Sequence, residues 1–327
     1  MHAAAPPFDR ALPKKRQSTF WHRLRSGDEA AHIISLIFAA AVVCVTALLV
    51  YQLWAQSLLS REKFGWQFFV TRTWDPVAGQ FGALPFIYGT LITSAIALLL
   101  SVPLGLGTAI FLSEFSPPRV SSVLAFLIDL LAAVPSVIYG LLGIFILVPW
   151  LRTTVEPALQ SAFGSLPLFQ GPMYGVGFLA AGLVLAIMVV PFIVSVSREV
   201  LLAVPRDQRE AALALGATRW ESVWRAVVPF AKSGIMGSVF LALARALGET
   251  MAVTMVIGNG LKLSASLFAP GYSIAAVIAN EFTEAVGNLH ISALIELGLV
   301  LFLLTFILNG FARLLVLATT QRGASHE

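Results

Sequence analysis

Between Pro205 and Pro229 the chain reads PRDQREAALALGATRWESVWRAVVP, a charge-rich stretch set between two long apolar runs. Seven of its residues are charged, and Arg198, Glu199 and Lys232 stand just outside it. Its grammar is helix, break, helix. Pro205 suits a first helical position, where a missing N–H removes no bond. Gly216 fits a C-terminal break, because it reaches the left-handed conformation without steric cost. Thr218 and Glu221 have the spacing of a capping box, in which each side chain accepts the other residue's backbone N–H. Pro229 is expected to limit the second helix. The stretch reads as a polar helical hairpin between membrane segments, shaped to meet something outside the bilayer.

The surroundings fix the class. Of 327 residues, 58% are apolar and only 12% charged, against about 25% charged in an ordinary soluble domain. Six apolar runs reach the ~20 residues that a helix needs to cross hydrocarbon: 30–54, 86–113, 120–150, 174–196, 234–257 and 290–317. The first is too long for a signal-peptide core and lacks a clear cleavage site, so it is read as a retained span. Pro103, Gly105 and Gly107 interrupt the second run and Pro191 the fourth, while the third is read as one span containing Asp129, Pro135, Ser136 and Gly140. Breakers survive in such helices where protein or water satisfies the freed backbone groups. Trp66 and Trp74, in the mixed segment 55–85, fit a membrane–water interface, and 152–172 is expected to be a Pro- and Gly-rich loop. The fold class is all-α and polytopic.

Fifteen of the 21 Lys and Arg fall on one side if the N-terminus is inside, and five on the other. By the positive-inside bias both termini and the hairpin are cytoplasmic. The organisation is then a basic tail over 1–29, a six-helix domain over 30–318 containing the hairpin 205–229, and a short cytoplasmic C-terminus over 319–327. One cysteine, Cys44 in the first run, excludes a disulfide framework and a cysteine metal site. His290 has no ligand companions in the sequence, and no metal site is assigned. The basic residues lack the aromatic interleaving of a single-strand nucleic-acid binder.

Arg245 and Glu249 lie inside the fifth run. A charge at mid-bilayer costs roughly 2.5–3.5 kcal/mol even on insertion scales, which makes such a residue a functional candidate. The two are i and i+4, hence expected as neighbours on one helix face. Two readings are open: a self-neutralising structural pair, or a lining of the translocation path in which the guanidinium recognises an oxyanion and Glu249 orients it. Weaker candidates are Asp129, which could serve backbone groups freed by Pro135, and Glu296, placed near the outer interface. Glu281 and Glu284 are expected in a solvated outer loop.

Glu210-Ala211-Ala212, with Gly216 six residues after the Glu and Pro229 closing the pattern, resembles the EAA loop of ABC-importer permeases. Ala226 and Val228 stand where that pattern has Ile and Leu, so its apolar character is kept. The small alanines let a short helix seat deeply in a groove of another protein, and Glu210 can pair with a basic residue there. Ala244–Val253 (ARALGETMAV), Pro135–Leu141 (PSVIYGL) and Pro103–Phe115 (PLGLGTAIFLSEF) are similar to the phosphate ABC-transporter permeases. Within that family, Met251-Ala252-Val253 resembles the PstC branch, whereas PstA typically has Ala-Pro-Leu there.

The resemblance implies the type I importer architecture in a bacterial inner membrane. It implies that Arg245 and Glu249 are associated with phosphate passage and that Glu210, Ala211, Ala212, Gly216 and Pro229 couple to an ATPase. The implied partners are a PstA-like permease, two PstB-like ATPase subunits and an external PstS-like phosphate-binding protein. No Gly-Lys-Ser/Thr occurs, so the phosphate-cradling loop is missing and ATP and Mg are expected on the partner ATPase. No catalytic residue is assigned: neither a HExxH zinc pair nor a GxSxG elbow is present. Two alternatives stay open, another oxyanion such as sulfate or molybdate as cargo, and an ion-driven secondary transporter, which would usually show inverted repeats.

Overall fold

The computed structural model describes residues 28–324. The expected basic tail, apart from its last two positions, and residues 325–327 lie outside the described residues. In chain order the helices are α1 (Asp28–Gln56), α2 (Leu58–Phe64), α3 (Gln67–Val70), α4 (Leu84–Phe115), α5 (Pro118–Ala132), α6 (Ser136–Phe163) and α7 (Phe178–Leu202). There follow α8 (Arg206–Ala214), α9 (Arg219–Gly248), α10 (Met251–Val256), α11 (Ile274–Glu281) and α12 (Asn288–Ala324). Six of them, α1, α4, α6, α7, α9 and α12, contain segments long and apolar enough to cross a membrane. Among the described residues the only extended pairing is one isolated bridge, Asp75 with Gln80. The fold is all-α, as expected.

Residues 1–52 and 53–327 are separate compact units. The described part of the first is most of α1, apolar all round and exposed from Ala31 to Leu49. Uniform apolar exposure suits a helix surrounded by hydrocarbon. In the second unit α7 is the most enclosed span. Leu185, Met188, Val189 and Ile193 are fully buried along it. It packs closely against α4, where an added Cβ on Gly182 would lie 2.5 Å from Ile96. Small residues serve membrane helices in this way, because packing rather than water exclusion holds them together.

Two spans depart from their expected limits. The third run is two helices, since α5 ends at Ala132 and Pro135 opens α6 with φ −57° and ψ 139°. Proline bars the residue before it from the helical region and removes a backbone donor. α6 then continues to Phe163, so the expected loop at 152–172 is helical over its first half.

The fifth span is shifted the other way. It starts at Arg219, inside the hairpin, and ends at Gly248. Pro229 does not stop it. A π-helical turn at Val223–Val227 precedes the proline, and such a widened turn absorbs the missing hydrogen bond without ending the helix.

Trp74 is also not interfacial. It is buried beside Phe81 and Phe86, and its Nε1 donates to Glu281 Oε2 at 2.8 Å. Trp66, by contrast, is 86% exposed.

Candidate functional site

Two helix breaks face each other inside the second unit. At the first, between α5 and α6, the end of α5 leaves carbonyls without helical partners. Tyr139, one turn into α6, reaches back and donates its hydroxyl to Leu131 O at 2.7 Å. At the second break, between α9 and α10, Glu249 is extended, with φ −70° and ψ 125°. Its Oε1 accepts from Ala252 N at 3.2 Å, which serves one of the free donors at the start of α10. α10 packs on the first turns of α6. A Cβ on Gly140 would lie 2.5 Å from Met255 Sδ and 3.2 Å from Ala252 Cα, so the two short helices meet at a position that only glycine fits without movement.

Arg245 stands half-buried in the last turn of α9. Its guanidinium carbon lies 4.2 Å from the Phe192 ring centroid. A cation over an aromatic face gains about 0.5–2 kcal/mol, more as water is removed. Its Nε is buried with no hydrogen-bond partner among the described residues, and Tyr139 lies within its electrostatic reach. The expected i, i+4 pairing with Glu249 is not formed. The helix ends between the two residues, and the Glu249 carboxylate caps the next helix instead. Arg245 is therefore a cation anchored by an aromatic ring, not half of an ion pair.

The hairpin follows its sequence closely. Gly216, at φ +86°, ends α8. Gly216 N donates to Leu213 O and Ala217 N to Ala212 O, the two bonds of a Schellman turn. Thr218 and Glu221 close both arms of the capping box. Pro205 sits one position earlier than expected, as the N-cap of α8. Glu210 and Ala211 are exposed, Ala212 is half-buried, and Leu213, Leu215, Trp220 and Trp224 are exposed apolar side chains on the same hairpin.

Arg209 ties the hairpin to the spans through polar contacts. Arg209 makes a two-pronged contact with Glu114 at the end of α4, through Nε at 3.1 Å and Nη2 at 2.8 Å. It also donates to Leu201 O at 2.7 Å and Val204 O at 2.6 Å, at the end of α7.

Residues 101–321 match the family described as binding-protein-dependent transport system inner membrane component. The chain belongs to that family. This permease is 46% identical, over 95% of its length and 97% of the relative's, to a phosphate transport system permease protein PstC of Mesorhizobium japonicum. A protein of the same name from Pasteurella multocida is 46% identical over 89% of this chain and 94% of its own. A probable one from Methanocaldococcus jannaschii is 38% identical over 88% and 92%. Among solved structures, a bacterial ABC transporter involved in alginate import has a TM-score of 0.57 at 16% identity, covering 89% of this chain and 98% of that one. The inward-facing MetNI methionine ABC transporter gives 0.52 at 17% identity, covering 74% and 98%. The fold is that of ABC importer permeases, and the permease is a multi-pass membrane protein.

Other residues singled out in the sequence have other surroundings. Asp129 accepts from Ser195 Oγ of α7, while Tyr139 takes the role at the proline break that was expected of it. Glu281 is not a solvated loop carboxylate: it accepts from Trp74 and lies 3.0 Å from His290 Nε2, whose ring stacks on Phe81. Glu296 is buried, with 2% of its surface exposed. Among the described residues no group of three His, Cys, Asp or Glu is placed to hold a metal. Sequence reading missed Arg209, Tyr139 and Phe192. Arg209 adjoins Glu210 and was counted only as charge, whereas aromatic residues in apolar runs carry no signal that separates path from packing.

Proposed function

We propose that this permease is the membrane-spanning subunit through which an ATP-driven importer moves inorganic phosphate across the cytoplasmic membrane. The observation that carries the reading is its near-full-length similarity to phosphate transport system permeases. Its site is consistent with the chemistry. Arg245 presents a permanently charged planar fork suited to an oxyanion, with one face covered by Phe192. A single guanidinium holds the anion only briefly, and conduction requires that binding be weak enough to release.

In this reading both termini and the hairpin 205–229 lie in the cytoplasm. The hairpin is the contact to a PstB-like ATPase, present in two copies, which binds ATP and Mg. Its exposed Leu213, Leu215, Trp220 and Trp224 support that role, since a cluster of exposed apolar side chains on a polar element marks an interaction surface. Glu210, Ala211, Ala212, Gly216 and Pro229 shape it, and Arg209 carries its movement to α4 and α7. A PstA-like permease completes the path, and a PstS-like protein delivers phosphate outside.

The test is radiolabelled uptake by cells lacking this chain and complemented with it. Phosphate uptake should return and sulfate uptake should not change. Restored sulfate or molybdate uptake with phosphate unaffected would assign a different cargo.

A further inference from the structure

Phe192 and Ser195 stand three residues apart on α7, hence neighbours on one face. The Arg245 guanidinium of α9 lies over the Phe192 ring, and the Ser195 hydroxyl donates to Asp129 Oδ1 of α5. Three helices of the second unit thus bring a cation and a carboxylate to one face, about one helical turn apart. The two charges are not in contact: among the described residues the ion pairs are Arg209 with Glu114 and Glu281 with His290. Arg198, a further turn along α7, is engaged with Ser121, to which its Nη2 donates at 3.2 Å.

The position of Asp129 calls for a reason. It is exposed, in the last turn of α5. From Pro118, next to the charged Arg119, the helix rises about 16 Å to reach it, roughly half of a hydrocarbon core. An ionisable side chain at that depth faces protein or a water-filled cavity rather than lipid, so the open face shared by α5 and α7 belongs to the path. A bond that only pinned α5 to α7 would need no charge, because an asparagine oxygen accepts from the same hydroxyl. Glu249, the carboxylate nearest to Arg245 in sequence, is occupied in capping α10.

We propose that Asp129 sets the strength with which Arg245 holds phosphate. Its charge repels the anion from about one turn away and keeps the binding weak enough for release, which conduction requires. Unit charges about 8 Å apart, at an effective dielectric near 20, change an affinity by about tenfold or more. This role presupposes that Arg245 is the cation that meets the cargo, as proposed above. Asp129 then tunes that site without touching the anion.

The test is equilibrium binding of radiolabelled inorganic phosphate to the full-length chain with its copurifying subunits, in the absence of ATP and of the binding protein. The binding that counts is the part lost in Arg245→Gln. Asp129→Asn keeps the acceptor for Ser195 but removes the charge, and should tighten that binding about tenfold or more; Asp129→Glu should restore the weak binding. Ser195→Ala removes the bond and keeps the charge, so it should lower the melting temperature with little change in affinity. Ser195→Lys neutralises the carboxylate in place, should tighten binding as Asp129→Asn does, and decides the matter alone if Asp129→Asn does not assemble. Unchanged or weaker binding in Asp129→Asn, or equal tightening in Ser195→Ala, would overturn the role of Asp129 while leaving Arg245 on the path. Phosphate binding undiminished in Arg245→Gln would overturn the reading of Arg245 and this inference with it.

Discussion

Arg245 and Glu249 stand four residues apart, yet they do different work. The guanidinium rests on Phe192 with its Nε unpaired, while the carboxylate caps α10 across the break at Gly248. If Arg245 meets the anion, Arg245→Gln should abolish phosphate uptake while the complex still assembles; loss of assembly would make it structural. Glu249→Gln keeps a capping oxygen and should lose far less uptake than Arg245→Gln. Glu249→Ala should cost about 1 kcal/mol of stability, the usual worth of a helix cap, read as a lower melting temperature in detergent. Equal transport loss in Arg245→Gln and Glu249→Gln would instead point to a pair that forms in another state. Arg245 was legible because a charge inside an apolar run must be explained. Tyr139 and Phe192 were not, since nothing in an apolar run distinguishes an aromatic that supports an arginine from one that faces lipid.

Among the elements, the hairpin was legible almost bond by bond: its turn and capping box depend on Gly216, Thr218 and Glu221, all local in sequence. Its connection to the spans was not. Arg209 meets Glu114 ninety-five positions away, and no local pattern announces such a partner. Proline was a poor guide to the breaks. Pro135 divides a run read as one span, and Pro103 and Pro191 lie inside continuous helices where interruptions were expected. Pro229 does not stop α9, because a π turn can absorb the missing donor where neighbouring packing holds the helix. The break at Gly248 had no proline to mark it.

The strut formed by Arg209 has measurable consequences. Arg209→Ala removes the carboxylate contact and two carbonyl bonds, so it should destabilise by about 2–3 kcal/mol, whereas Glu114→Ala should cost about 1–2 kcal/mol. The double variant should fall short of the sum by about 1 kcal/mol, the signature of direct contact. Thermal unfolding in detergent checks both, and strict additivity would mean that the two side chains do not interact. Either single variant should also leave ATP hydrolysis less tightly tied to uptake.

For the whole molecule, hydropathy and charge asymmetry were enough for an all-α membrane protein with six spans, and the motifs around Pro103, Pro135 and Arg245 pointed to the family that residues 101–321 match. On the proposed reading the motor is a separate ATPase. Glu210→Lys reverses a charge on the exposed face of the hairpin and should detach or uncouple the ATPase while the permease stays in the membrane; normal association and normal uptake would remove the hairpin from the coupling path. The most direct measurement is phosphate accumulation in proteoliposomes containing the permease pair, the ATPase and the binding protein, with and without ATP. Accumulation should require ATP and every subunit, and should vanish with Arg245→Gln. Phosphate uptake by this chain alone, without an ATPase or ATP, would contradict the account.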